Sequence, residues 1–266
     1  MEQPKLTGVP ETLLIPLWAR AVEAYQAKPI IQDEQAMKIM EQLNYDFARF
    51  AKGWRSQIGV VVRTELLDRA VQKFIDQHPD ATVINIGCGL DTRFSRVDNG
   101  RIHWYEVDLP EVIGIRSQFF QENERYRMIA GSVLEEEWLG EVAMDRRPVL
   151  IVAEGILMYF TEAEVQRLLG ELATVFPGAT MFVEVITPTL VKMSDRHDTV
   201  SGMGLRFQWG IANGSDLERL DRRIRWMTEW SYFDYHRRRW RWMGWLARIP
   251  AFKQRFNCGI VQIRFV

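Results

Sequence analysis

The sequence predicts an α/β protein with a doubly wound, mostly parallel sheet. The first observation is the run V-I-N-I-G-C-G-L-D-T-R at 83–93, where an apolar strand breaks into a Gly-x-Gly turn. The second is an apolar strand at 103–107 that ends beside Asp108, 19 positions after Gly89. The third is the alternation of strands with helices from 64 to 186, which is typical of parallel sheets.

Each predicted element has its own signal in the sequence. Helix 64–78 carries one apolar stripe and ends before Pro79, and helix 161–176 begins with the capping pair Thr161 and Glu164. A further helix is predicted at 111–122, and the parallel strands are predicted at 82–87, 103–107, 126–130, 149–153 and 180–186. Strands near 226–233 and 258–265 are predicted to close the sheet as an antiparallel hairpin, with helix 237–247 nearby.

The chain divides into two predicted parts. Residues 1–60 precede the glycine motif, show helical apolar spacing and are interrupted by prolines, so they predict an N-terminal helical cover. Residues 61–266 form the predicted catalytic domain. Within it, 187–225 loses the regular pattern and predicts an insertion covering the active site, on the substrate side, because it follows a strand whose carboxyl end lies at the ligand edge of such sheets.

The composition indicates a globular cytoplasmic protein. The 266 residues are 47% hydrophobic with a net charge of −1, which indicates neither nucleic acid nor an acidic membrane as partner. No apolar run reaches the ~18 residues of a membrane span, and the N-terminus shows no signal peptide. The two cysteines, Cys88 and Cys258, are expected to be free thiols in a reducing compartment.

The glycine turn selects among nucleotide-like ligands. A dinucleotide fingerprint needs a third glycine, whereas this chain has Thr92 there and Asp91 beside it. A carboxylate would repel a pyrophosphate but suits a nucleoside with a cationic tail, such as S-adenosylmethionine. Asp108 is placed to accept hydrogen bonds from the ribose hydroxyls, and its alternative role is to cap the next helix.

Four further side chains are candidates for the site. Glu154 follows the buried run V-L-I-V-A and emerges at the ligand edge of the sheet, and Tyr159 lies five residues beyond as a candidate catalytic group or as core packing. Arg63 is expected to open helix 64–78, where a cation opposes the helix dipole and needs a partner such as a ligand carboxylate. Arg20 is a weaker candidate of the same kind, for the substrate.

An arginine-rich segment is the one feature that could favour RNA. Between 219 and 241 the chain has eight arginines and three acids, interleaved with tryptophans. Packing of arginine stems on tryptophan faces at a domain rim explains the same pattern. The four histidines show no metal-ligand spacing, so no metal is expected.

Four motifs stand in order along the first two thirds of the chain. They are R-T-E-L-L-D at 63–68, the glycine motif at 83–93, W-Y-E-V-D-L-P-E-V-I at 104–113 and A-E-G-I-L-M-Y-F at 153–160. Together they resemble the leucine carboxyl methyltransferase family, in particular its bacterial branch of tetracenomycin-type polyketide O-methyltransferases. The resemblance covers most of 11–186 and implies a class I methyltransferase fold that binds S-adenosylmethionine.

The resemblance also implies roles for individual residues. Arg63 would hold the cofactor's carboxylate, Gly87 and Gly89 would line its methionine part, Asp108 would bind the ribose, and Glu154 would lie near the amino group. After the third strand, near the adenine, the family usually has an acid and a leucine. This chain has Ser132 and Val133 at those positions.

The predicted reaction is methyl transfer to oxygen, forming an ester on a small aromatic or polyketide-like acid. A carboxylate is ionised at neutral pH and needs no base, whereas a phenol does need one, and His197 is the candidate for that role. The alternatives are a nicotinamide-dependent oxidoreductase, and a noncatalytic module that binds S-adenosylmethionine or RNA. The expected partner is a small acid or phenol, and the oligomeric state is left open.

Overall fold

The computed structural model describes residues 9–142, 147–200 and 206–266. Its strands are β1 (Thr82–Ile86), β2 (His103–Asp108), β3 (Tyr126–Ala130), β4 (Val149–Ala153), β5 (Thr180–Ile186), β6 (Ile224–Ser231) and β7 (Cys258–Phe265). Its helices are α1 (Leu14–Ala24), α2 (Glu34–Gln42), α3 (Trp54–Gln77), α4 (Arg93–Val97), α5 (Pro110–Arg116), α6 (Glu162–Val175), α7 (Pro188–Lys192), α8 (Arg241–Leu246) and α9 (Pro250–Phe256). Short 3₁₀ turns lie at Val9–Leu13, Phe47–Phe50, Glu137–Glu141, Leu157–Tyr159, Ser194–Arg196, Gly214–Arg219 and Tyr232–Asp234.

The seven strands form one sheet in the order β3-β2-β1-β4-β5-β7-β6. The first five are parallel, and β7 runs antiparallel to both β5 and β6. The strand order reverses between β1 and β4, which is where sheets of this kind bind ligands. The predicted α/β fold with a mostly parallel sheet is therefore confirmed, including the antiparallel pair that closes it.

Helices cover both faces of the sheet, as the doubly wound prediction requires. On one face Val165 and Leu172 of α6 pack with Ile84 and Ile151 of the central strands. On the other face, Leu67 and Val71 of α3 belong to a second buried cluster with strand residues Val83, Trp104 and Leu150. Since neighbouring residues of a strand point to opposite faces, the apolar runs read in the sequence are buried on both sides.

The largest departure from the sequence prediction is the start of α3. This helix begins at Trp54, ten residues before the predicted start, so Arg63 lies within the helix. The prediction that Arg63 opens the helix and opposes its dipole is therefore wrong. No proline interrupts 54–64, and Gly59 is accommodated within the helix, where an added Cβ would lie 3.8 Å from Trp240. The predicted division at residue 60 consequently falls inside α3.

Two other predicted helices are shorter in the structure. Helix 111–122 ends at Arg116, because the chain turns there and Phe119 and Phe120 both donate to the Arg116 carbonyl. Helix 237–247 is reduced to Arg241–Leu246. The remaining predicted strands and helices agree with the structure to within two residues.

The N-terminal helices pack over the glycine turn. Leu14, Leu17 and Trp18 of α1 share a buried cluster with Leu90 of that turn and Val112 of α5. This placement agrees with a cover, of which residues 1–8 lie outside the described part of the chain. The division into cover and catalytic domain itself stays a prediction.

The predicted insertion at 187–225 contains α7 and two 3₁₀ turns, with residues 201–205 outside the described ranges. It rejoins the sheet at β6, and the Ile211 amide donates to the Ile186 carbonyl at the end of β5. Among the described residues, no helix is both long enough and apolar enough to cross a membrane.

Arg116 and Glu106 form a fully buried ion pair, with Arg116 Nη2 2.5 Å from Glu106 Oε1. Burial raises the pKa of Glu106 to about 7 even with Arg116 beside it. Replacing Arg116 with Met removes this counter-charge, so Glu106 must stay charged without an ion-pair partner or take up a proton, and the free energy of unfolding should fall by about 3–5 kcal/mol. Urea denaturation measures the change. The control is Arg101→Met, which breaks a surface pair with Asp80 and should cost at most about 1 kcal/mol. Equal losses in the two variants would contradict a structural role for the buried pair.

Candidate active site

A cavity of about 490 Å³ lies at the carboxyl ends of the central strands. That volume is within the range of small-molecule sites. The glycine turn, the ends of β2, β4 and β5, the cover and the C-terminal segment all contribute to its wall. Of the residues predicted for the site, the wall contains Arg20, Arg63, Gly87, Gly89, Asp91, Asp108, Glu154 and Tyr159.

The glycine turn has a backbone that other residues adopt at a cost. Gly87 and Gly89 have φ values of 66° and 50°, in the left-handed region. A Cβ at Gly87 would collide with Ile156, and one at Gly89 would lie 3.2 Å from the Leu13 Cβ. Glycine is therefore required at both positions by conformation and by the close approach of neighbouring segments.

Both sides of the turn are held by buried groups. The Gly87 amide donates to the Val107 carbonyl at 2.8 Å, and the Gly89 amide donates to Asp108 Oδ2 at 2.7 Å. The carbonyls of Gly89 and Leu90 accept from Arg116 and Arg20, at 2.9 and 2.7 Å. Because the Gly89 amide is already used within the protein, the turn is not built as a phosphate cradle.

Asp108 ends β2 with its carboxylate on the cavity wall. Oδ1 accepts from the Leu109 amide at 2.8 Å and Oδ2 from the Gly89 amide. Each carboxylate oxygen has a further lone pair, so Asp108 can accept hydrogen bonds from two ribose hydroxyls. Its alternative role as a helix cap is wrong, because α5 is preceded by Leu109 at the cap position and makes no side-chain cap. Burial raises the pKa of Asp108, and the two amide donors oppose that shift.

Arg63 joins two strand ends across the site. Its Nε donates to Glu154 Oε1 at 2.5 Å and its Nη1 donates to Glu184 Oε2 at 2.8 Å. Among the described residues these carboxylates take two of the five N–H groups of a guanidinium, so the others remain for a ligand carboxylate. Burial disfavours the charge on Glu154, but Arg63 and Arg93 outweigh it and lower the pKa. Glu154 is therefore ionised and held on both sides by arginine.

Asp91 is engaged within the protein. It pairs with Arg93 at 2.7 Å and accepts from the Thr92 and Arg93 amides. Burial acts against its ionisation, yet the surrounding arginines hold its pKa well below its usual range. The Asp91 carboxylate is thus an anion on the cavity wall, and it would repel a pyrophosphate bound there.

The other predicted site residues have different surroundings. Burial raises the pKa of Tyr159 to about 12, and its ring packs edge-on against Phe207, so its phenol stays protonated at neutral pH. Arg20 is almost fully buried and pairs with Asp33 at 2.9 Å, which makes it a support of the turn rather than an accessible substrate ligand. Ser132 and Val133 follow β3 and, within the described chain, are not part of the cavity wall.

The structure brings in polar groups that sequence reasoning did not select. Glu184 lies two residues before the carboxyl end of β5 and also accepts from Tyr232 Oη at 2.8 Å and from the Gly155 amide at 2.7 Å. An acid within a run of apolar strand residues was the available signal, because such residues are seldom buried without partners. Burial raises the pKa of Glu184, and Arg63 opposes the shift.

His197 also lines the cavity, within a small polar cluster. Its Nδ1 lies 3.4 Å from the Val200 amide and 3.3 Å from Thr199 Oγ1. Asp198 beside it accepts from Ser56 Oγ at 2.5 Å and from the Arg55 amide at 3.0 Å. Burial lowers the pKa of His197, so the imidazole is neutral at pH 7. The Val200 amide can only donate, which favours the tautomer with the lone pair on Nδ1 and the hydrogen on Nε2, whereas Asp198 Oδ1, 3.8 Å from Nδ1, favours the opposite one.

Sheet order and site geometry together define a class I S-adenosylmethionine-dependent methyltransferase. The chain belongs to the leucine carboxyl methyltransferase family, whose model matches residues 14–173. The predicted family, enzyme class and cofactor are therefore confirmed, and the nicotinamide-dependent oxidoreductase and noncatalytic alternatives are set aside.

Two relatives support this assignment, and one solved structure shares the fold. The tetracenomycin polyketide synthesis O-methyltransferase TcmP of Streptomyces glaucescens is 35% identical over 86% of this chain and 85% of its own length. The S-adenosyl-L-methionine-dependent methyltransferase dpfgK of Gibberella zeae is 29% identical over 80% of this chain and 78% of its own. The crystal structure of a putative methyltransferase from Thermobifida fusca shares the fold, with a TM-score of 0.58, 15% identity and 93% coverage of both chains.

The assignment of Asp108 can be tested by ligand binding. Asp108→Ala removes two charged acceptors, and loss of a hydrogen bond to a charged group costs ~1.5–3 kcal/mol. Calorimetry with S-adenosylhomocysteine should show affinity reduced roughly ten- to a hundredfold. The exposed neighbour Glu111 gives the control, since Glu111→Ala should bind normally. Unchanged binding by the Asp108 variant would remove it from the ribose site.

Arg63 is tested by comparing two ligands. Arg63→Met should weaken binding of S-adenosylhomocysteine about ten- to a hundredfold while affecting adenosine far less, because adenosine lacks the carboxylate. Arg69→Met on the exposed side of the same helix is the control. Equal losses for both ligands would show that Arg63 supports the fold without binding the carboxylate.

Proposed function

We propose that this enzyme transfers a methyl group from S-adenosylmethionine to a carboxylate oxygen of a small aromatic or polyketide-like acid. The observation that carries the proposal is the state of the cavity's titratable groups. The carboxylates of Asp91, Glu154 and Glu184 already accept hydrogen bonds from donors of the protein. In the tautomer that the Val200 amide favours, the neutral imidazole of His197 offers Nε2–H to the cavity instead of a lone pair that could accept a proton. Such a site fits an acceptor that arrives already ionised.

The residues present fit the cofactor. The glycine turn allows close approach, Asp108 offers acceptors to hydroxyls, and Arg63 retains donors for a carboxylate. Ionised Glu154 and Asp91 suit the two positive charges of the cofactor's methionine part. When bound, S-adenosylmethionine supplies a methyl group activated on a sulfonium.

Apolar side chains form the rest of the cavity and favour an aromatic substrate. Part of the wall comes from the cover, α3 and the segment after β5: Ile15, Pro16, Val60, Leu190, Met193, Val200 and Phe207. Another part comes from the C-terminal third: Phe233, Trp240, Trp242, Met243, Phe252 and Phe256. An anion stripped of water among such groups reacts faster as its charge disappears in the transition state.

His197 is proposed to position the acceptor carboxylate. Its Nδ1 is directed to the Val200 amide and Thr199, so the neutral ring offers Nε2–H to an acceptor oxygen. Arg55 lies on the same wall and pairs with Asp198 at 3.3 Å, so it compensates the negative charge of Asp198 beside His197. One carboxylate oxygen can then be held while the other remains available to receive the methyl group.

The compartment is a further part of the proposal. Cys88 is buried in the glycine turn and, among the described residues, both Cys88 and Cys258 are free thiols. Burial raises the pKa of both, so both stay as thiols. These features support a reducing, cytoplasmic location.

The product identifies the acceptor group. A methyl ester releases methanol in mild alkali, whereas a phenolic ether is stable, and we expect an alkali-labile product. Since a carboxylate is already ionised and burial lowers the pKa of His197 from its usual value, kcat/KM should stay nearly flat between about pH 7 and 8. An alkali-stable product would overturn the carboxylate proposal while leaving the methyltransferase assignment intact.

Variants of His197 separate a donor from a base. His197→Gln keeps an N–H donor, and we expect it to retain activity within about tenfold, whereas His197→Ala should lose ten- to a hundredfold. If His197 acted as a general base, glutamine could not replace it and both variants would lose ~10²–10⁴ in rate. His78→Gln, distant from the cavity wall, serves as the matched control.

A further inference from the structure

We propose that the face formed by residues 235–256 docks on an anionic membrane surface. Its exposed side chains are arginines alternating with large apolar groups, and we refer to this set as the basic face: Arg237, Arg238, Arg241, Trp242, Trp245, Arg248 and Ile249. The docking proposal is independent of which acceptor the enzyme methylates.

The charge of this segment differs sharply from that of the whole chain. Residues 235–256 contain seven Lys and Arg and no Asp or Glu, while the full chain has a net charge of −1. Asp234 pairs with Arg237 and Lys253, and Glu23 pairs with Arg239, so the uncompensated positive charge comes from four exposed arginines: Arg238, Arg241, Arg248 and Arg255. The near-neutral total, from which the sequence predicts no membrane partner, therefore conceals a local cationic surface. Clusters of four to eight basic residues on an amphipathic helix are typical of binding to anionic lipid headgroups.

The exposed apolar residues lie along one side of a helical turn. Trp242, Trp245 and Ile249 are three and four positions apart, and backbone bonds from Arg248 to Trp245 and from Ile249 to Leu246 continue the turn beyond α8. Their exposed fractions are 58%, 66% and 50%. Arg241 and Arg248 directly precede Trp242 and Ile249 in the sequence, so a positive charge lies beside each end of the apolar stripe.

The segment is anchored to the body of the protein. His236 Nε2 contacts Glu65 at 2.6 Å, and Arg239 contacts the buried Glu23 at 2.6 Å. Gly244 faces inward, where an added Cβ would collide with the Arg237 backbone. The exposed tryptophans are thus presented on a fixed surface instead of a free tail.

We favour lipid over RNA because the exposed apolar stripe includes the aliphatic Ile249, which has no ring on which a base could stack. Tryptophan rings and arginine stems enter the headgroup region while the guanidinium groups remain at the phosphates. The face also adjoins the cavity, since Trp242 and Met243 line it. Docking would bring the cavity wall against the bilayer, where an apolar acid is concentrated.

Sedimentation of the full chain with vesicles tests the proposal. We expect binding to phosphatidylcholine vesicles that contain phosphatidylglycerol, little binding to phosphatidylcholine alone, and a decrease with salt. Arg238→Gln with Arg248→Gln should lower the partition coefficient about thirtyfold, since each arginine near an anionic surface contributes about a factor of five. Trp245→Ser with Ile249→Ser should lower it at least about tenfold.

A control variant shows whether vesicle binding belongs to the basic face. Trp226→Ser removes an exposed tryptophan of β6, outside the basic face, and should leave vesicle binding unchanged. Circular dichroism and S-adenosylhomocysteine binding should be normal in all three variants, which separates lost docking from lost folding. Absence of binding to anionic vesicles would overturn the proposal, as would binding that both double variants retain. Binding of single-stranded RNA or polyglutamate without vesicle binding would assign the face to another partner.

Discussion

The pairing of buried arginines with carboxylates beneath the glycine turn is the interaction on which the site depends. Arg116 is fully buried with Glu106 and also binds the Gly89 carbonyl, while Arg20 binds the Leu90 carbonyl. A buried ion pair adds little net stability, but removing one partner leaves an uncompensated charge at a large cost. These pairs therefore have to form together, and their formation fixes the turn.

The same network determines what chemistry remains possible. Arg63 joins the ends of β4 and β5 through Glu154 and Glu184, and Tyr232 occupies a further oxygen of Glu184. Glu154 held in this way is a poor proton acceptor, because a transferred proton would break its ion pairs with Arg63 and Arg93, which lower its pKa. The site is suited to positioning a charged cofactor, and it is consistent with the carboxylate acceptor that we propose.

Local patterns were enough to predict the sheet and the cofactor motifs, whereas contacts between distant segments were not predictable. Strand apolarity, the glycine turn and Asp108 were each visible within a few residues. The helix boundary near Arg63 was misplaced because nothing local distinguishes residues 54–63 from a separate segment. Glu184 was missed because its importance comes from a partner 121 positions away in sequence. The ring orientation of His197 likewise depends on a backbone amide, which no residue pattern specifies.

The central claim is that the glycine turn is ordered by the protein before any ligand binds. Hydrogen exchange of a peptide covering 87–92, measured by mass spectrometry on the ligand-free enzyme, tests it most directly. The amides of Gly87, Gly89 and Asp91 all donate within the protein, so they should exchange far more slowly than an unstructured chain. Exchange at unstructured rates that slows only when S-adenosylhomocysteine is added would contradict the claim.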